Sequence, residues 1–121
     1  MFYVDDDIMC LMIFREFFRG KNISLDTFNN PVQAYEKLSK TIESYCLGFI
    51  DFRMPEMDGE SLARKLREKS TIPLYLHTGT VFETDIEELL LEGIFQGYIR
   101  KPVSLSEVEK LILRHNLSRQ S

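Results

Sequence analysis

Short apolar runs alternate along the whole chain with longer stretches whose apolar positions recur every three or four residues. Strands are predicted at Phe2 to Val4, Ser24 to Phe28, Cys46 to Ile50, Ile72 to His77 and Phe95 to Ile99, each about a mean strand long or shorter. The stretches between them open on helix-start signals: Asn30 with Pro31 at the first helical position, Asp58, Thr84 with Glu87, and Ser104 with Glu107 as a capping box. Ala34, Leu38 and Ile42 share one helical face, as do Leu62, Ala63 and Leu66, then Ile86, Leu89 and Leu90, then Val108, Leu111 and Ile112. In the first helix, a step of about 100° per residue from Asp7 groups Cys10, Ile13, Phe14 and Phe17 on the face to be buried. It leaves Ile8, Met9 and Met12 outward, beside Arg15 and Arg19.

Strands joined by helices of this length pair in parallel through right-handed crossovers, with helices on both faces of one open sheet. The expected fold is therefore α/β, a doubly wound parallel sheet of five strands. At 121 residues, one domain over 1–121 is expected, with a short tail at 118–121 after a fifth helix ending near Leu117. The net charge of −4 argues against a broad grip on nucleic acid or anionic lipid. Two cysteines, Cys10 and Cys46, lack metal-ligand spacing, so neither a zinc site nor a disulfide scaffold is expected. The acidic start and the lack of an 18-residue apolar run point to a cytoplasmic protein without a membrane span.

In such sheets ligands bind beyond the carboxyl ends of the strands. Here Val4 runs into Asp5, Asp6 and Asp7, Ile50 into Asp51, His77 into Thr78 and Gly79, and Ile99 into Arg100, Lys101 and Pro102. Crowded carboxylates repel each other, and a hard divalent cation with oxygen ligands relieves that repulsion, Mg²⁺ first and Mn²⁺ as its substitute. A metal-bound carboxylate is a poor base but a competent nucleophile toward phosphorus, with a lysine to neutralise the transferring oxygens. Aspartate, lysine, threonine and a cation together suggest phosphoryl transfer. Asp7 reads instead as a helix cap, and His77 and His115 as structural.

The stretches VDDD at 4–7, FIDFRMPEMDG at 49–59, HTG at 77–79 and YIRKP at 98–102, in this order and spacing, resemble the receiver domain of bacterial two-component response regulators. The resemblance implies a flavodoxin-like sheet of order 2-1-3-4-5 with five helices. It makes Asp51 the phosphoacceptor, served by a histidine kinase or histidine phosphotransferase, and Asp5, Asp6, Asp51 and the Arg53 backbone carbonyl the Mg²⁺ ligands. Lys101 and Thr78 would contact the phosphoryl group, and Thr78 with Tyr98 would form the switch that remodels the surface toward a downstream protein target. Such a protein is no enzyme toward other substrates, since it catalyses only its own phosphorylation and dephosphorylation.

Several features depart from the family pattern or compete with this reading. The first strand is short, which could weaken stability, and a long cation stands at Arg53, where it is expected to shield the acyl phosphate and prolong its life. Ile8, Met9 and Met12 are expected to dock on the helical hairpin of the phosphodonor, where methionine adapts well. Acids at Glu83, Glu87, Glu88 and Glu92 facing Lys110 and Arg114 suggest a charge-paired homodimer, although such charges are usually only solvated. An aspartyl phosphohydrolase would carry an acid where Arg53 stands, and a nucleotide switch would need a GK[ST] loop after the first strand, which is missing. The remaining alternative is a pseudo-receiver that binds proteins constitutively. Little chain is left after the fifth helix, so output is expected through protein contacts unless the domain is excised from a longer chain.

Overall fold

A computed structural model of the chain describes residues 1–79, 83–102 and 104–120, and the side chains of all of these except 83–85 and 116–120. Five strands, β1 (Phe2–Val4), β2 (Asp26–Phe28), β3 (Gly48–Asp51), β4 (Leu74–Thr78) and β5 (Gly97–Arg100), form one parallel sheet in the order β2-β1-β3-β4-β5. The helices are α1 (Ile8–Phe18), α2 (Pro31–Thr41), α3 (Gly59–Arg67), α4 (Glu83–Leu91) and α5 (Leu105–Gln120), with a 3₁₀ turn at Ile42–Ser44 after α2. The doubly wound α/β expectation holds.

Side chains alternate across the sheet and divide the core in two. Phe2, Val4, Ile50, Leu74 and Leu76 pack under α2, α3 and α4, with Ala34, Leu38, Leu62, Leu66, Ile86 and Leu89. Tyr3, Phe49, Tyr75 and Ile99 pack on the other face under α1 and α5, with Leu11, Phe14, Phe18, Val108 and Ile112. All three residues of β1 are fully buried, so the short central strand is anchored by packing on both faces as well as by two neighbours. Caps fix where three helices start. Asp7 accepts from the Met9 N–H at 3.0 Å, Asn30 from Val32 and Gln33, and Asp58 from Ser61 at 2.8 Å.

Four expectations need correction. Strands β2, β3, β4 and β5 begin two residues later than their apolar runs, and β3, β4 and β5 end one residue later. The central strand β1 starts only at Phe2, whose partners are Asp26 and Gly48, so the ladder begins there and not at Ser24 or Cys46. Pro73, lacking an N–H, keeps β4 from starting at Ile72. In α1 the buried stripe is Leu11, Phe14 and Phe18, with Cys10 and Phe17 half-buried and Ile13 exposed. The turn of the helix is set by Phe14, whose ring packs on Tyr3 with centroids 4.2 Å apart, and the expected face lies to one side of that contact. Finally, α5 continues through 118–120, so the expected tail there is helical, and His115 lies within the helix, where Nε2 is 2.7 Å from the Tyr75 hydroxyl. Helix α4 opens at Glu83, one residue before the expected start at Thr84, whose side chain lies outside the described residues.

Candidate functional site

The carboxyl ends of β1, β3, β4 and β5 meet at one edge of the sheet. Asp5, directly after β1, is fully buried and its N–H donates to the Phe28 carbonyl at 3.0 Å, which ties it to β2. Asp51 and Thr78 are the last residues of β3 and β4, both buried and both inside the hydrogen-bonded ladder. Lys101 follows β5, and its backbone N–H donates to the Thr78 carbonyl at 2.9 Å, so its side chain starts from a fixed point. The Lys101 Nζ lies 3.0 Å from Asp5 Oδ2 and 3.4 Å from Asp51 Oδ1. Carboxylate oxygens of Asp5, Asp6 and Asp51 all fall within 4.8 Å of one another. The residues expected to act together at 5, 6, 51 and 101 are therefore neighbours, with Thr78 joined to Lys101 through the backbone.

Gly59 holds this arrangement from behind. It begins α3, its N–H donates to the Phe52 carbonyl at 2.7 Å, and a Cβ there would lie 2.1 Å from the Asp51 carbonyl oxygen. Only glycine fits without moving the backbone of Asp51, and forcing a side chain into so tight a contact costs about 1–3 kcal/mol or more. Asp58 and Gly59 read from sequence as a helix start, which they are, but the contact with Asp51 has no sequence signal of its own.

Other expected residues stand at the margin. Arg53 is exposed in the loop after β3. Tyr98 is 39% exposed on β5, with the Arg100 guanidinium 5.4 Å from its ring centre. Ile8, Met9 and Met12 are 57%, 65% and 53% exposed on α1, the helix that Asp7 caps directly after Asp5 and Asp6.

Charge crowding shows in the titration of the cluster. Burial, then the charge of Asp5, pushes the Asp51 carboxyl up to about 7, with Lys101 pulling the other way. For Lys101, burial opposes the charge, yet the hydrogen bond and charge of Asp5 together with Asp51 outweigh it and raise the amine above its ordinary value. One amine does not balance three carboxylates. The donor set is all oxygen and the charge deficit calls for a divalent ion, so Asp5, Asp6 and Asp51 fit a hard cation of the Mg²⁺ or Mn²⁺ kind.

Two more residues reach into this cluster: His77, read from sequence as structural, and Tyr3, read there only as part of the first strand. The Tyr3 hydroxyl donates to Asp5 Oδ2 at 2.5 Å and lies 2.6 Å from His77 Nδ1, all of it buried. Burial, then the Asp5 charge, pushes the Tyr3 phenol far above its ordinary range, and burial, then Lys101, lowers His77 to about 4. The available signal was positional: Tyr3 is two residues before Asp5, and His77 one before Thr78, on the same face of the sheet.

Residues 1–113 match the family model described as the response regulator receiver domain. The chain belongs to that family. Transcriptional regulatory protein SrrA of Staphylococcus aureus is 30% identical over 118 residues, which cover 95% of this chain and 48% of that protein. The chain spans about half the length, or less, of the curated relatives it matches. Among solved structures, a response regulator receiver domain protein from Clostridium thermocellum superposes with a TM-score of 0.88 at 17% identity, covering 98% of this chain and 94% of that one. The receiver domain of Ssk1 from Saccharomyces cerevisiae, solved with the histidine phosphotransfer protein Ypd1, gives 0.84 at 21% identity over 98% and 88% of the two chains. At these identities the structural likeness speaks for the fold, and receiver domains as a family are signalling modules of two-component systems with an acidic, Mg²⁺-binding pocket.

The raised Asp51 pKa of this receiver domain has a consequence for stability. The folded state holds that proton more tightly than the unfolded chain, whose carboxyl titrates near the ordinary 3.8. The contribution of Asp51 to stability is therefore most favourable at and below about pH 4 and is lost as pH rises through about 7. In EDTA, Asp51→Asn is expected to unfold at a higher temperature than the wild type at pH 8, the gap closing toward pH 4. A gap that ignores pH, followed by circular dichroism, contradicts this assignment.

Proposed function

We propose that the chain accepts a phosphoryl group on Asp51 and that this modification switches its protein contacts. The observation that carries the reading is the buried Asp51 carboxylate, set within 3.4 Å of the Lys101 amine and beside Asp5 and Asp6. A carboxylate oxygen of Asp51 attacks phosphorus, the P–N bond of a partner's phosphohistidine breaks, and the electron pair leaves with the imidazole, giving an acyl phosphate. The attacking carboxylate must be ionised. Asp5, Asp6 and Asp51, with the backbone carbonyl of Arg53, would hold Mg²⁺, which when bound offsets negative charge on the carboxylates and on the phosphoryl oxygens. Lys101 then turns from Asp51 to the new phosphoryl group, and the Thr78 hydroxyl donates to another of its oxygens. Tyr98, half out of the fold on β5, is the ring whose position reports that change to a downstream protein.

The exposed face of Ile8, Met9 and Met12, extended by Ile13, sits on the helix that starts beside the acidic cluster and fits the helical surface of a histidine kinase or phosphotransferase. The Ssk1 receiver domain, which shares this fold, is solved with such a phosphotransfer protein. A charge-paired homodimer loses one of its supports, because Glu92 already pairs with Arg64 of the same chain at 2.5 Å.

Incubation with Mg²⁺ and acetyl phosphate, read by intact mass, is expected to add one labile phosphoryl group to the wild type and none to Asp51→Asn. Unmodified wild type would leave the pseudo-receiver reading in its place. The phosphorylated wild type is expected to outlive phosphorylated Arg53→Asn, since the long cation shields the acyl phosphate from water; an equal or shorter lifetime removes that role from Arg53. Met9→Asp is expected to slow transfer from a histidine phosphotransfer protein while leaving labelling by acetyl phosphate intact. Equal loss with both donors counts against docking on α1.

A further inference from the structure

Tyr3 and His77 are buried polar side chains that neither the proposed chemistry nor the core requires. The Tyr3 ring packs on Phe14 under α1, where a phenylalanine would pack as well, yet its hydroxyl contacts both Asp5 and His77. A phenol has one proton to give. Asp5 Oδ2 lies 3.0 Å from the Lys101 amine, and Asp5 Oδ1 accepts the Asp7 N–H at 2.9 Å, so both oxygens of this side chain already face donors. The Tyr3 proton therefore points at Asp5, and His77 Nδ1, only 2.6 Å from the same oxygen, must donate its own N–H. His77 Nε2 is buried with no partner among the described residues. A bare lone pair there is tolerated better than an unpartnered buried N–H, which again selects the neutral tautomer with the proton on Nδ1. The chain of donors runs one way, from His77 to Tyr3 to Asp5.

We propose that Tyr3, oriented by His77, is a positioning residue that fixes the Asp5 carboxylate for its divalent cation. The inference rests on reading the acidic cluster as a cation and phosphoryl site. A carboxylate has about four acceptor positions. Tyr3 and Lys101 take two on Oδ2, and the Asp7 N–H takes one on Oδ1, which leaves one for the ion. Because Lys101 must turn toward a modified Asp51, its hold on Oδ2 is temporary. The Tyr3 hydrogen bond is then the contact that keeps Oδ2 from rotating. Outer-shell donors of this kind typically govern metal affinity by about 10–100-fold.

Two measurements on the intact chain test this. Calorimetric titration with Mg²⁺ is expected to show affinity weakened about tenfold or more in Tyr3→Phe. His77→Leu should weaken it in the same direction, and His77→Asn, whose side-chain amide can still donate, should stand nearer the wild type. Long-range proton–nitrogen NMR of the wild type should find the His77 proton on Nδ1, a readout that simple core packing would not set, and thermal unfolding in EDTA checks that each variant is folded. Equal Mg²⁺ affinity in folded Tyr3→Phe and wild type, or a proton on Nε2, overturns the inference while leaving Asp51 phosphorylation untouched. A wild type that binds neither Mg²⁺ nor Mn²⁺ sinks the cation reading as well, so the two failures are distinguishable.

Discussion

Like charge forced together is the constraint on which the rest depends. Parallel pairing places the ends of β1, β3, β4 and β5 side by side, and three of the side chains delivered there are carboxylates within 4.8 Å. Left alone they would repel, and the fold answers with Lys101, anchored by its backbone to Thr78 and shared by Asp5 and Asp51. The balance is incomplete. An incompletely neutralised cluster of carboxylates on a rigid sheet edge favours a divalent ion, so what the site lacks in charge is what fits it to a hard cation.

Much of this was legible from residues alone. The alternation of apolar runs and helical stripes gave the doubly wound sheet, and Asp5, Asp6, Asp51 and Lys101 stood out because charged residues ended apolar runs. Ladder boundaries were not legible. Apolar runs mark what is buried, whereas strand limits depend on which partners exist, and here the short β1 delays its neighbours. The face of α1 was misjudged for a related reason. A helix with nine apolar residues in eleven admits more than one buried face, and the contact of Phe14 with Tyr3 chooses among them. Tyr3 fits a strand by propensity and His77 closes an apolar run, so neither stands out alone, and their pairing across 74 residues appears only when the sheet is assembled.

The same geometry separates the two faces of the sheet by task. The α1 and α5 side carries the Tyr3 and His77 pair beneath the acids and the exposed apolar patch beside them. The α2, α3 and α4 side is more uniformly apolar, and its polar contacts are structural: Arg67 donates to the carbonyls of Ser70, Ile72 and Ile94, and Arg64 joins α3 to α4 through Glu92.

The missing side chain at Gly59 bears on how motion can travel. With the first turn of α3 pressed against the Asp51 carbonyl and bonded to that of Phe52, there is no slack between the peptide of Asp51 and the helix. The two behave as one mechanical part. A tilt of α3 imposed from outside would displace the Asp51 carboxylate, and a shift of β3 would lever the helix, giving the molecule a route between its surface and its acidic cluster that needs no side chain to carry it.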